Sequence, residues 1–330
     1  MQQAVLSYVD RFVDYLEAEK HASPYTVRNY KSDLVGNLQH GSQKGFFQFL
    51  DQRGITSLEA VDKRVMREYL GYLVDQRVAK VSLARKLSAI RSFYRYLLRE
   101  HIIERNPTAL TVSPKLDHHL PEFLTIDEMD RLLRMPDVST PLGIRDRAIL
   151  ELFYAAGMRV SEMAGLNIRQ MDMDSREIRV VGKGNKERVV IIGLPAAQAL
   201  ETYLRQTRPK LAIKGSGSAV FLNYKGGRLT ERWLQKLLIK YAHNAGLLKK
   251  VHPHILRHTF ATHLLDGGAD LRVVQDLLGH ASLSTTQIYT HVTQTQARRV
   301  YMGSHPMAGL KDKENENDAE APAKTEDYSI

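Results

Sequence analysis

Between residues 251 and 292 the chain spaces His254, Arg257, His280 and Tyr289 in a way that matters chemically. Pro253 opens a helix and Gly267-Gly268 closes it, so His254 and Arg257, three residues apart, share one face. A second short helix is expected to end at Gly279, which leaves His280 just past a helix terminus. Ser284-Thr285-Thr286-Gln287 has the form of a capping box, so a third helix is expected there with Tyr289 in its first turns. Cutting a phosphodiester needs a nucleophile, neutralised non-bridging oxygens and a proton for the departing oxygen. Arginine grips two phosphate oxygens through its planar fork and stays charged. A tyrosine hydroxyl is a weak nucleophile, with an ordinary pKa of about 10, and a cationic cluster makes its phenolate easier to reach.

Taken singly, each residue also has an ordinary explanation. A tyrosine at helical spacing is commonly a core or surface residue, and an arginine a solvated charge or an ion-pair partner. His258 and His263 fit helix packing better than catalysis. Six histidines fall between residues 252 and 291, but there is no HExxH, and Asp266, Asp270 and Asp276 lack a ligand spacing, so no metal is expected. Gly182-Lys183-Gly184-Asn185-Lys186 is glycine-rich without the spacing of a nucleotide-binding P-loop.

The composition agrees with a polyanion partner. The 330 residues carry a net charge of +10. Residues 311–330 hold three Lys against seven Asp or Glu, which leaves +14 on the rest. Such a surplus favours nucleic acid through attraction and counterion release, though an unusually basic soluble enzyme would show it too. With no cysteine, disulfides, zinc–cysteine sites and a thiol nucleophile are excluded. The start of the chain lacks a signal-peptide core and no run is long and apolar enough to span a membrane, so the cytoplasm is the expected location.

The elements that must position these groups fall into two sets. The first hundred residues read as helices joined by short turns. Phe12, Val13 and Leu16 mark an apolar stripe, and Ser23-Pro24 is a helix start. Residues 36–45 read as a loop. A helix over roughly 83–100 buries Leu87, Ile90, Phe93, Tyr94 and Leu97. From Gln76 to Arg99 there are seven basic residues and no acid. That face suits phosphates; a merely solvated face would normally mix charge signs. Residues 106–121, with three prolines, read as a linker. Beyond it, Ile149, Leu152, Phe153 and Ala156 predict a helix stopped at Gly157, and residues 177–181 and 188–192 predict a hairpin. The acidic end reads as disordered.

With these pieces assembled, HPHILRHTFATHLLDGGADLRVVQDLLGHASLSTTQIYTHV, residues 252–292, resembles the C-terminal signature of tyrosine recombinases and phage integrases, most closely the Xer branch. AAGMRVSEMAGL, residues 155–166, resembles the family's arginine box and yields Arg159. VVGKGNKERVV, residues 180–190, resembles its hairpin and yields Lys183. TVRNYKSDL (26–34) and ARKLSAIRSFYRYL (84–97) resemble the core-binding domain.

The resemblance implies a mainly α, two-domain protein. A helical SAM-like core-binding domain (1–105) and a linker (106–122) would precede a mixed α/β catalytic domain with a small antiparallel sheet (123–303) and an acidic tail (304–330). It implies that Tyr289 attacks the scissile phosphate to give a 3′-phosphotyrosyl link and a free 5′-hydroxyl. Arg159 and Arg257 would hold the non-bridging oxygens, with Lys183 as general acid (Lys186 competing for that role). His254 would serve proton transfer, His280 would bond the phosphate, and Glu162 would orient the cluster from behind. Arg28, Lys31, Arg85, Lys86, Arg91 and Arg95 are the candidate DNA contacts. No cofactor, metal or ATP is implied, because the phosphotyrosyl bond keeps the energy of the broken one.

The implied partners are a double-stranded recombination site and three further protomers, of this chain or a related recombinase, with a DNA translocase as a further candidate. Residues 294–301 would form a helix that docks on a neighbouring protomer. The implied role is resolution of chromosome or plasmid dimers at cell division. The competing roles are integration or excision of a mobile element, a type IB topoisomerase, a metallonuclease, and DNA binding without catalysis. Residues 36–45 look like an insertion relative to the usual Xer spacing, and the acidic tail is a second departure.

Overall fold

A computed structural model describes residues 2–36, 45–109, 122–182, 187–279 and 291–308. The chain divides into two compact units, Met1–His119 and Leu120–Ile330, each with its own apolar core. The division falls inside the proline-bearing segment expected to be a linker.

Among its described residues the first unit has five helices: α1 (Gln2–Ala18), α2 (Pro24–Val35), α3 (Phe46–Gln52), α4 (Lys63–Asp75) and α5 (Lys80–Arg99). Local chemistry sets their starts. The Ser23 hydroxyl accepts from the Thr26 amide at 3.2 Å with Pro24 at the first helical position, and Asp62 accepts from Arg64 N and Val65 N at 2.9 Å. Phe12, Phe93, Leu97, Phe46 and Tyr69 are fully enclosed, and Phe12, Phe47 and Tyr94 meet Phe93 edge-on.

Residues 37–44 of the expected insertion lie outside the described residues, but its two ends are in place. Gly36 has φ +99°, and the backbones of Gly36 and Gly45 are so close that a Cβ on Gly45 would lie 2.2 Å from the Gly36 nitrogen. The chain therefore leaves the fold at Gly36 and re-enters it at Gly45 at one point, on glycines that alone permit that approach.

The exposed basic face expected on α5 is only partly there. Lys86 is buried and pairs with Asp33 of α2 at 3.1 Å, and Arg85 pairs with the other oxygen of the same carboxylate. Arg99 is held by Glu19, just past the end of α1, at 2.7 Å and by Glu100 at 2.8 Å. The acids missing from this stretch of sequence come from outside it: Asp33 from α2, Glu19 from the end of α1 and Glu100 from the C-cap of α5. Lys86 is thus corrected from a DNA contact to a buried ion pair: it lies on the stripe of Leu83, Leu87 and Ile90, which faces the core.

The second unit contains α6 (Ile126–Arg134), α7 (Pro141–Ala156), α8 (Val160–Gly165), a sheet, α9 (Leu194–Thr202), α10 (Arg208–Leu211), α11 (Glu231–Asn244), α12 (Pro253–Asp266), α13 (Leu271–Leu278) and α14 (His291–Ser304). The sheet is antiparallel, β1 (Met171–Asp172), β2 (Glu177–Val181) and β3 (Glu187–Ile191), with Val180 opposite Arg188. α7 is buried nearly all round and forms the centre of the unit. It stops at Gly157, whose left-handed conformation (φ +53°) ends the helix and whose missing Cβ makes room for Phe260 of α12, 2.5 Å from where that atom would lie.

Two expectations about the C-terminal region change. Tyr301, expected on a helix that docks on a neighbour, is fully buried in this unit's own core, where it receives the Gly193 amide at 3.0 Å. Residues 304–308 are not tail: His305 and Ala308 are buried, and Met307 packs its carbonyl against Gly193. The helix and the segment after it close the chain's own hydrophobic cluster around Phe260, Leu264 and Val274.

Candidate active site

Arg159 follows the turn that ends α7 and is the N-cap residue of α8; Glu162 stands in that helix's first turn. The Arg159 amide donates to Glu162 Oε2 and its Nη1 to Oε1, both at 2.8 Å. The sequence puts these groups together because a cap residue and the residue three on meet across one helical turn.

Arg257 lies on α12, one turn after His254. Its Nη1 donates to the Gly157 carbonyl at 2.8 Å and its Nη2 to the Leu278 carbonyl at 2.5 Å. Arg159 Nη2 donates to the next carbonyl, Gly279, at 3.2 Å. The C-terminal end of α13, where carbonyls lack helical partners and the helix dipole is negative, is thus the seat on which both arginines rest. Gly279 adopts the left-handed conformation (φ +66°) that lets the helix stop there.

Sequence reasoning missed a third arginine at this seat. Arg188 of β3 makes a two-pronged pair with Glu162, Nη1 to Oε1 at 2.6 Å and Nη2 to Oε2 at 2.9 Å, and its Nε donates to the Leu277 carbonyl at 3.2 Å. A signal was available: Arg188 shares its strand face with the buried Val190, two residues on.

Two guanidinium groups therefore bind one carboxylate, and that of Arg257 lies near enough to feel all three charges. Burial pushes the Glu162 carboxyl up, but the hydrogen bonds and charges of Arg188 and then Arg159 outweigh it and hold it below the usual range. Among the described residues Arg257 has no ion-pair partner and donates to two carbonyls. Burial, then repulsion from Arg159 and Arg188, brings it down to about 10. Among the described residues the site holds three arginines against the single carboxylate of Glu162, with Arg159 about a third exposed. Such a site suits an anion carrying several oxygens.

His254 is exposed on the first turn of α12, its ring 6.0 Å from that of His252. His252 is held below the ordinary histidine value by burial and by His254. His263 accepts or donates at 2.8 Å with Tyr154 inside the core, in keeping with packing, and His258 lies against Phe123. Lys183, Lys186, His280 and Tyr289 lie outside the described residues. The described chain stops at Gly279, on the arginine seat, and resumes at His291, two residues beyond Tyr289.

Among the other expected DNA contacts, Arg28 stacks on Tyr25, Lys31 pairs with Asp10 at 2.8 Å, Arg95 is exposed and Arg91 is half-buried. A second basic surface went unnoticed in the sequence. Arg232, Lys236, Lys240 and His243 are exposed at three- and four-residue steps along α11, with exposed Ile239 among them.

Comparison with known proteins agrees with this architecture. The phage integrase family matches residues 122–296, and the N-terminal SAM-like domain of phage integrases matches residues 9–101. A tyrosine recombinase XerC of Pelotomaculum thermopropionicum is 46% identical over 91% of this chain and 98% of its own length. Another XerC, of Oceanobacillus iheyensis, is 47% identical over 91% of this chain and 96% of its own. In fold, the chain is similar to the XerH site-specific recombinase in a post-cleavage complex with its difH substrate (TM-score 0.64, 22% identity, 94% of this chain and 84% of that one). It is also similar to a lambda integrase dimer bound to a core site (TM-score 0.61, 19% identity, 86% and 98%). The chain belongs to the phage integrase family. Within that family it is a site-specific tyrosine recombinase of the Xer subfamily.

Proposed function

We propose that the chain cuts and rejoins duplex DNA by attack of Tyr289 on a scissile phosphate, giving a 3′-phosphotyrosyl link and a free 5′-hydroxyl. The observation that carries this reading is the surplus of fixed positive charge made by Arg159, Arg257 and Arg188 around Glu162. Arg159 and Arg257 stabilise the charge that grows on the non-bridging oxygens in the transition state. Lys183 gives its proton to the leaving 5′ oxygen, His254 assists proton transfer, and His280 bonds the phosphate. Religation reverses the atoms: a new 5′-hydroxyl loses its proton and displaces the tyrosine oxygen, so neither ATP nor a divalent metal enters. Four protomers, of this chain or with a related recombinase, act on two sites in the cytoplasm, and a DNA translocase is a candidate regulator. Dimer resolution at cell division is the proposed role, supported by 46–47% identity to XerC relatives over most of the chain.

The test uses a duplex site selected from a random-sequence pool by binding to the full chain, then nicked so that the cut strand end diffuses away. On denaturing gels a covalent protein–DNA band is expected, forming equally well in EDTA. Cleavage without that band, abolished by EDTA, would instead indicate a metallonuclease; binding without cleavage would leave only a DNA-binding protein. Mapping the selected site to a resident chromosomal locus supports dimer resolution, and mapping it to an element's ends supports integration.

A further inference from the structure

Arg188 enters none of the steps above, yet it is among the most enclosed charged groups near the site, its side chain 8% exposed. Its fork goes to Glu162 and its Nε to Leu277 O. Glu162 is then fully used. Oε1 is shared by the Nη1 groups of Arg188 and Arg159, and Oε2 by Arg188 Nη2 and the Arg159 amide. A carboxylate offers about four lone-pair positions, so no further donor fits. Arg159 is left with one side-chain bond to Glu162 and one to Gly279 O. Its guanidinium shares the one Glu162 charge with Arg188 and is about a third exposed.

Without the Arg188 fork, Glu162 is free to turn into a two-pronged pair with Arg159, the geometry that arginine and carboxylate favour. That would draw its donors off a phosphate. Arg188 also fixes the other support. A Cβ on Gly279 would lie 2.9 Å from Arg188 Cδ, so its stem packs directly on the α13 terminus where Arg159 and Arg257 rest.

We propose that Arg188 is a positioning residue, which occupies Glu162 so that Arg159 keeps its charge and its donors for the scissile phosphate. This rests on the recombinase reading above.

The test compares Arg188→Lys with the unaltered full chain in covalent-adduct formation on three versions of the selected, nicked duplex. One has an ordinary scissile phosphodiester, one a methylphosphonate there, and one a sulfur in place of the bridging 5′ oxygen. In each, the Tyr289 oxygen–phosphorus bond forms and the phosphorus–5′ bond breaks. On the ordinary substrate the leaving oxygen takes a proton. The methylphosphonate carries one negative charge fewer for Arg159 to balance; the sulfur departs as thiolate and needs no proton. Lysine keeps the charge of Arg188 but cannot make the fork.

The variant is expected to be slower by about 100-fold on the ordinary substrate, the scale of a small misplacement of a reacting group. The deficit should shrink to within about fivefold on the methylphosphonate, where the arginine contribution is reduced, and persist on the sulfur substrate, with DNA affinity unchanged. An equal deficit on all three, recovery on the sulfur substrate alone, or no deficit would each overturn the proposal. If Arg188→Lys fails to fold, Arg188→Gln, which also lacks the fork and leaves Glu162 free to turn onto Arg159, takes its place with the same expected pattern and the same contrary outcomes. Absence of any adduct with the unaltered chain would sink the recombinase reading rather than this one.

Discussion

At Lys86 the chain places an ammonium where the apolar stripe of α5 asks for a leucine, and balances it with Asp33 from α2, 3.1 Å away. Burial raises the Asp33 carboxyl above its ordinary value even though Lys86 and Arg85 pull it down. Removing Lys86 leaves the buried Asp33 carboxylate to the half-exposed Arg85, and a buried charge that loses its buried partner is costly. Lys86→Met is therefore expected to destabilise the first unit by about 3 kcal/mol, read by urea unfolding of the full chain. DNA affinity of the folded variant should be unchanged; a stable variant with weakened DNA binding would return Lys86 to the DNA face. The helical spacing that names Leu87, Ile90 and Leu97 as core also puts residue 86 on that side, so burial was legible. The acid that makes it tolerable was not, because Asp33 sits more than fifty residues away. Arg188 hid in the same manner: its strand face was readable, its partner Glu162 was not.

At the scale of elements, the caps and stops were readable because their chemistry is local. Ser23-Pro24, Gly157 and Gly279 act within a turn of themselves, and the structure uses each as its residue type implies. The fate of α14 was not readable, since its polar surface and buried Tyr301 suit either its own core or a neighbour's. The segment after the helix decides for its own core: His305 Nδ1 accepts the Met307 amide at 3.2 Å, and its ring stacks on Tyr301 and lies tilted against Tyr154. Burial brings this histidine down to about 3, so the folded state keeps it neutral while the unfolded chain protonates it near its ordinary value. Unfolded chain then binds more protons as pH falls below about 6.5, and stability is lost from there downward. Between pH 7.5 and pH 5 the cost is about 2 kcal/mol from this group. Thermal melting of the second unit should fall over that range, and His305→Phe should flatten the fall. An unchanged pH slope in that variant would count against a neutral, buried His305.

Over the whole molecule, the net +10 announces a polyanion but not where it lies. The two units and the candidate linker were visible from composition and from the family resemblance. The basic line along α11 was masked by the longer acid-free run in α5, whose basic residues turn out to be partly engaged by Asp33, Glu19 and Glu100. Arg232, Lys236 and Lys240 stand exposed on one helix. If they meet phosphates, the double variant Lys236→Ala/Lys240→Ala should bind the selected site more weakly. Its slope of log affinity against log salt should be shallower by about 2, one for each lost contact. An unchanged slope would remove α11 from the DNA-facing surface.

In the proposed chemistry Tyr289 becomes joined to DNA. The most direct measurement is to trap the covalent complex on the nicked site, digest the protein and the DNA, and find by mass spectrometry which peptide carries the remaining nucleotide. The modification is expected on Tyr289, through the phenolic oxygen, with no adduct in Tyr289→Phe. A nucleotide attached to another residue, or an adduct that survives that substitution, would contradict it.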